Sequence, residues 1–374
     1  RELAQAFVFR SLDFMCSKTQ CALVLVSKIL YNIKSKDFRG YLLDNVLINQ
    51  VFEFAPVRKE VFNKSNDPAV APSCILFYRS ADGKSTDNNV IEHIALKASR
   101  FFTLFKVFSL TRSDIQIIQQ NRLKQYDWLW KVLVYGSYLD FIFIKKLKNM
   151  VTIDDVIENN HLICKQGIKE KDKDRKKNKN KEIDVSSLVG LNYIVTKKVK
   201  KFCINSNDTK WELSKVGYIY RDKHQNIVTD LYKAPILLIT GGTTVDLRAV
   251  SAISYSDGIF KSSLTGIKGV RDSDISILRD IMGVLNSSFF AYYNILTFSS
   301  SGIEREETHD SEKWSVPYCK GLDKVVRVVE NTTAEFYNTA MKDSLKRQQI
   351  DSQIKLIDDQ IYNLFHCSDV EKDL

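Results

Sequence analysis

Proline and glycine are scarce, with 5 and 14 residues in a chain of 374. That excludes a collagenous or linker-like protein. The five prolines, at 56, 68, 72, 235 and 317, are isolated, so no Pro-Pro dipeptide exists. No Gly-x-Gly-x-x-Gly and no Gly-x-x-x-x-Gly-Lys-Ser/Thr occurs, which removes two familiar phosphate-cradling loops. The 7 cysteines form no Cys-x-x-Cys pair. Neither a disulfide framework nor a zinc site is expected, and a reducing, cytoplasmic setting is. There is no His-Glu-x-x-His, and the 5 histidines are far apart in sequence, so none is assigned as a metal ligand. No apolar run approaches the ~18–20 residues that span a bilayer, so no membrane partner is expected. No basic-then-apolar leader opens the chain. It begins on Arg1, not Met, directly in an amphipathic pattern, and a missing upstream segment is expected.

What is present is ordinary globular material, 44% hydrophobic and 27% charged. The length suggests roughly two to three domains. Lys and Arg (55) exceed Asp and Glu (45), a net charge of +10. Such an excess suits a polyanionic partner, but where the charge sits matters more than its sum.

Leu3, Phe7, Phe14 and Met15 stand near helical spacing and predict a short helix within 2–17. Cys21-Ala-Leu-Val-Leu-Val26 is an unbroken apolar run. It reads as a strand buried on both faces, as in a parallel α/β sheet, with Cys21 and Cys74 as small buried residues. Phe38, Tyr41 and Leu42 predict a second helix over 36–45; Val46–Phe54 and Ser73–Arg79 predict two more strands. Residues 1–80 thus read as the end of a doubly wound α/β sheet. Three strands bury little surface, and an apolar edge at 21–26 needs cover from elsewhere in the chain or from a partner.

Asp82-Gly83 marks a turn, and Ile91–Phe108 is apolar and aromatic. A helix is expected near Ser137–Lys148 and a short amphipathic piece at Thr152–Glu158. Residues 165–181 are basic and of low complexity and read as a mobile loop. Short β-rich runs follow: Tyr193–Thr196, Lys200–Ile204, Gly217–Tyr220, Ile236–Thr240 and Ala252–Ser256. Asp274–Tyr293 reads as one helix with Leu278, Ile281, Met282, Leu285 and Phe289 on a stripe. Near the end, Ile350, Ile354, Ile357, Ile361 and Leu364 follow 4-3-4-3 spacing.

Isolated chemistry signals are weak. Gly241-Gly-Thr-Thr244 fits either an anion cradle or a plain turn. Ser352-Gln-Ile-Lys355 has serine–lysine spacing but lacks companion motifs. Asp154-Asp155 and Asp358-Asp359 read as solvated helix faces.

Several short segments, taken in order, carry more. They are Ala22–Ser27, Phe38–Leu43, Ile48–Phe52, Val61-Phe62, Ser73–Arg79, Trp130–Tyr138, Ile267–Val270, Leu285-Asn-Ser287, Ser301-Gly-Ile303 with Arg305, Trp314–Pro317 and Ile357–Phe365. This series resembles the region after the catalytic motif in TaqI-like adenine-specific (N6) DNA methyltransferases. Their Asn-Pro-Pro-Tyr motif and glycine-rich S-adenosylmethionine loop lie upstream of that region, and both are absent from this chain.

The resemblance implies an α/β fold: the C-terminal part of a Rossmann-like methyltransferase sheet (1–80), an α+β target-recognition domain (81–320) and C-terminal helices (321–374). It implies double-stranded DNA as partner, in a restriction-modification system. The chain itself would hold no cofactor and no catalytic residue. S-adenosylmethionine would belong to the complete enzyme, completed by a methyltransferase half on the same polypeptide or on a separate subunit. By position, Phe62 matches the aromatic residue that stacks on an extruded adenine; packing in the core is the alternative. Lys197, Lys198, Lys200 and Lys201, interleaved with Tyr193 and Phe202, are candidates for phosphate contact, or else a solvated face. Lys268 and Arg271, with Tyr255 and Lys261, are further candidates beside the family-like Ile267-Lys-Gly turn. Two competing readings stay open: a specificity subunit that pairs through its C-terminal helices, and a basic globular protein that binds no DNA.

Overall fold

A computed structural model describes residues 3–16, 18–61, 72–170, 182–205, 209–303, 308–339 and 342–374. Phe62, Arg305 and most of the 165–181 run lie outside the described residues. The fold is mixed α/β and divides into two compact units: Arg1–Lys145 with Tyr293–Thr308, and Lys146–Tyr292 with His309–Leu374.

In the first unit, helix α1 (Leu3–Leu12) precedes β1 (Cys21–Val26). Helix α2 (Lys36–Asn45), β2 (Val46–Glu53), the single turn α3 (Arg58–Val61) and β3 (Ser73–Ser80) follow. The sheet does not stop at residue 80. β4 (Val90–Ala95) and β5 (Ile115–Gln119) extend it, giving the order β1-β3-β2-β4-β5. Between and after them come α4 (Arg100–Phe105), α5 (Gln120–Gln125), α6 (Leu129–Tyr135) and α7 (Tyr138–Leu147). The unit boundary therefore falls at Lys145, well past residue 80.

β1 corrects the expectation of a strand buried on both faces in a parallel sheet. It is an edge strand, antiparallel to β3, with Cys21 half-exposed and Val24 72% exposed. An apolar run of six fits a central strand or a strand whose outer face is bare, and periodicity alone does not separate them. β2 is antiparallel to β3 and parallel to β4, so β3 runs against both of its neighbours.

The segment after Phe298 is anchored in this unit. Arg58 donates from Nη1 to the carbonyls of Gly302 (2.6 Å) and Ile303 (3.1 Å), and Lys131 donates to that of Ser301. Gly302 has φ +70°, and a Cβ there would meet the Tyr135 hydroxyl at 2.9 Å, so glycine is required.

Two buried titratable groups lie in the same unit. Glu53 accepts from the Ser27 hydroxyl (2.6 Å), the Tyr31 hydroxyl (2.5 Å) and the Ala55 N–H (2.8 Å). Burial pushes its carboxyl up to about 7, against the pull of those hydrogen bonds. His93, fully buried on β4 beside Trp130, is held down at about 3 by burial. The signs are opposite. The Glu53 contribution to stability is fully present below 4.5, its ordinary value, and is lost as pH rises toward 7. The His93 contribution is full above its ordinary 6.5 and is lost as pH falls. Glu53→Gln removes only the first. Urea unfolding from about pH 5 to about pH 8 should therefore show the variant gaining on the wild type as pH rises. A gap that does not change with pH contradicts this assignment.

The second unit begins with α8 (Ile153–Asn159) and β6 (Ile163–Gln166). Its main sheet has the order β13-β12-β15-β6, from β12 (Ile236–Thr243), β13 (Ala249–Ser254) and β15 (Leu264–Lys268). Smaller pairs surround it. β7 (Ile183–Asp184) pairs with β11 (Lys215–Val216), and β8 (Asn192–Ile194) with β14 (Gly258–Phe260). β9 (Val199–Lys200) pairs with β10 (Cys203–Ile204), so the expected strand at 200–204 is a hairpin. The run at 217–220 makes only an isolated bridge, Lys169 to Tyr218. Ile168, Trp211, Leu231, Tyr232, Ile236 and Phe260 are among the residues of its core.

The expected helix over 274–293 is two, α9 (Ile275–Asn286) and α10 (Ser288–Thr297). Ser287 breaks it: its hydroxyl donates to the Val284 carbonyl and accepts the Phe290 N–H, capping the second helix. Asp358 is not on a solvated face as expected. It is buried on α13 (Asp343–Leu364), where it accepts the Ser288 N–H at 2.8 Å, and burial raises its carboxyl. α11 (Asp310–Trp314), α12 (Asp323–Asn338) and α14 (Asp369–Asp373) complete the unit. The C-terminal helices are thus not a separate tail. Ile350, Ile354, Ile357 and Ile361 are buried in this unit, and Phe365 meets Phe289 at 5.2 Å. Gly283 admits α12 against α9, since a Cβ there would lie 2.6 Å from Val326. Among the described residues, no helix is long and apolar enough to cross a membrane.

Candidate nucleic-acid interface

The β9–β10 hairpin carries the basic run. Its two-residue turn is Lys201-Phe202, with Phe202 at φ +61°. That is a costly conformation for a bulky residue. Phe202 is held there by a buried ring and by its N–H, which donates to the Ser251 carbonyl at 3.0 Å. Phe202 is therefore core, not an aromatic available to a ligand. Asn286 secures the same point of β13: its side chain accepts the Ser251 N–H and donates to the Ser251 carbonyl, both at 2.9 Å. The Leu-Asn-Ser segment thus holds the strand on which the hairpin rests.

The six candidate cations divide into two groups. Lys197 is exposed, Lys198 and Lys200 are half-exposed, and none has a carboxylate partner among the described residues. Lys201 is 14% exposed and pairs with Asp246 at 3.3 Å; burial lowers its ammonium against that carboxylate's pull. Lys268 donates to the Ala234 carbonyl at 3.0 Å. Arg271 pairs with Asp274 at 3.3 Å while its side chain stays 65% exposed. Lys268 faces Ile236, three positions along β12 from Ile239, which faces Ser251. The hairpin and the Lys268 turn therefore occupy different levels of the sheet.

Beside the hairpin lies a cleft of about 690 Å³, bordered by Asn205, Ile204, Tyr255, Arg279, Arg327 and Asn331 among others. Its floor is a closed polar network. Tyr255 donates to Glu330 (2.7 Å), and Arg279 donates to Glu330 (3.1 Å), Asp323 (3.0 Å) and the Tyr255 hydroxyl (3.1 Å). Burial raises the Glu330 carboxyl and pushes the Tyr255 hydroxyl up to about 12. Arg327 and Asn331, four apart on α12, stay exposed at its rim. An arginine reads guanine O6/N7 and an asparagine adenine N6/N7, each with two hydrogen bonds. Sequence reading missed this pair, since residues 321–374 read only as C-terminal helices. The available signal was two polar side chains on one helical face.

Other candidates are structural. Gly241 and Gly242 lie within β12, and the buried Lys313 ammonium donates to the carbonyls of Thr240 (2.9 Å) and Gly241 (3.1 Å). That is a cation on carbonyls, the reverse of an anion cradle. Lys261 pairs with Glu170 at 2.7 Å and lies over the Tyr193 ring. The Ser352 hydroxyl donates within its own helix, to the Gln349 carbonyl. Among the described residues no group of three His, Cys, Asp or Glu is placed to hold a metal.

No family model matches the chain, and no curated protein matches it in sequence. Among solved structures, one covers 100% of this chain and 51% of its own, with a TM-score of 0.55 at 11% identity. The fold is similar to that of the type IIL restriction-modification enzyme MmeI, solved in complex with DNA. A second, the type IIG restriction endonuclease BpuSI, covers 96% of this chain and 49% of its own, with a TM-score of 0.34 at 9% identity. The chain therefore spans about half the length of each of these enzymes. At this identity the likeness to MmeI establishes the fold, and with it the mixed α/β architecture of both units.

Proposed function

We infer that this chain is the DNA-recognition portion of a restriction-modification enzyme of the adenine-N6 methylating kind. The observation that carries the reading is the hairpin. It sets Lys197, Lys198 and Lys200, without carboxylate partners among the described residues, beside a cleft rimmed by Arg327 and Asn331. Cations on the phosphate backbone fix position, and side chains at base edges choose sequence. Arg271, still largely exposed, adds a peripheral contact. Lys201 and Lys268 hold the protein's own backbone and acidic groups in place, and their ammonium groups lend the surface positive potential. The DNA bound by MmeI in its complex supports the same reading.

The first unit supports the methyltransferase side of the proposal. Strand β3 runs antiparallel between β1 and β2, which run the same way. β1 also leaves an apolar edge without a neighbouring strand among the described residues. Such an edge invites further strands, and the half that carries the Asn-Pro-Pro-Tyr motif and binds S-adenosylmethionine would supply them. Phe62 would then stack on the extruded adenine. The remaining role of this chain is to choose the sequence and present the base. The test is selection from a random duplex pool by the purified chain. Enrichment of one short motif supports the reading; no retention of any duplex at low ionic strength defeats it.

A further inference from the structure

The first unit carries a candidate surface of its own. Residues 97–113 hold four cations (Lys97, Arg100, Lys106, Arg112) and no acid, in a chain with 55 basic and 45 acidic residues. Lys97 pairs with Asp114 at 3.4 Å, just beyond the segment, which leaves Arg100, Lys106 and Arg112. The same segment also carries exposed aromatic side chains. α4 presents Phe101 (50% exposed), Leu104 (73%) and Phe105 (62%) to solvent. The rings of Phe101 and Phe105 lie 4.8 Å apart, so the three side chains form one ridge. Its base is firm. Ser99 caps α4 through the Phe102 N–H, and Phe102 stacks on Phe108 at 4.3 Å. Phe108 in turn packs on the cluster of Val57, Ile94 and Leu96, which also includes Val61. Val61 immediately precedes Phe62 in sequence.

An exposed apolar ridge rimmed by polar residues is the kind of surface that marks an interaction site. Protein interfaces are depleted of charged residues at their core and of lysine overall. Here Arg100, Lys106 and Arg112 are all exposed, with no acidic residue in the segment to balance them. A polyanion matches that rim, and apolar wedges set between phosphate-binding cations are how proteins unstack a base step. We propose that the Phe101–Leu104–Phe105 ridge is a wedge that enters duplex DNA, with Arg100, Lys106 and Arg112 on the flanking phosphates. The proposal rests on the DNA-recognition reading above. It adds a DNA contact carried by the first unit. A base removed from the stack leaves a gap, and the ridge is the apolar body that fills it.

The test uses the whole chain and a duplex carrying its selected motif, with 2-aminopurine at the target adenine. Two variants are compared with wild type: F101A/L104A/F105A, and R100Q/K106Q/R112Q. All six side chains are exposed, so thermal unfolding should not change. The apolar variant should bind about 10-fold more weakly, keep its salt dependence and lose the 2-aminopurine fluorescence rise. The basic variant should lower the log–log salt slope by roughly 3, about 0.9 for each phosphate left unneutralised. If both variants bind with wild-type affinity, slope and fluorescence, the ridge is not in the interface and only this proposal falls. If the wild type forms dimers that the apolar variant dissolves, while DNA binding is untouched, the ridge contacts a second copy and the proposal is likewise overturned. If the wild type binds no duplex, the recognition reading fails and this proposal falls with it.

Discussion

Replacing Lys197, Lys198 and Lys200 together by glutamine should weaken duplex binding by about 100-fold at 0.15 M salt. The size follows from counterion release. Each phosphate contact contributes about 0.9 to the log–log salt slope, so removing three lowers it by roughly 3. Fluorescence anisotropy across a salt series reads both quantities. The loss should be nearly uniform across DNA sequences, because phosphate contacts carry no sequence information. Lys201→Gln is the internal contrast. Its ammonium is largely buried and paired with Asp246, so it should alter the stability of the hairpin turn more than the salt slope. An unchanged slope in the triple variant shows that this run is a solvated face.

Ile357→Asp should unfold the second unit. Ile357 is fully buried on α13 between the equally buried Ile354 and Ile361. An unpaired carboxylate there loses the ~1.5–3 kcal/mol of a buried apolar side chain and adds a desolvation cost of several kcal/mol. Single domains are stable by about 5–15 kcal/mol, so the sum approaches the whole. Leu356→Asp, on the same helix but 47% exposed, should shift stability by less than about 0.5 kcal/mol. Calorimetry and circular dichroism separate the two variants. This pair also decides an alternative reading. A stripe that served a partner subunit would tolerate aspartate at 357 and change only the size of the complex. The structure places the stripe inside its own unit, so folding is what the substitution removes.

The elements legible in the sequence were those whose pattern is local. The helices at 36–45 and 137–148 and the strands at 46–54, 73–79 and 236–240 stand where the pattern put them, most of their ends within a residue or two. Position within a sheet was less legible. Cys21–Val26 reads the same whether central or at an edge, because only its neighbours decide which face is bare. Extension of the sheet past residue 80 was hidden for the same reason, since pairing of β4 with β2 joins residues about forty apart in sequence. Long-range caps were invisible as well. Asp358 looked solvated because its partner, the Ser288 N–H, is 70 residues away. In the candidate site, the basic run at 197–201 was legible as charge, but which of its lysines stay free was not. That depended on Asp246, brought beside Lys201 by the fold. Arg327 and Asn331 drew no notice because a recognition pair on a packing helix has no motif.

The proposed role requires this chain to distinguish one duplex sequence from another. Its most direct test is the ratio of two dissociation constants at a single salt concentration, for the duplex enriched by selection and for a scrambled duplex of equal length. The expected ratio is about 10³ or more, the usual margin of specific over non-specific binding. A ratio near one, with both affinities falling alike as salt rises, contradicts it: the chain would then be a basic surface with no reading head.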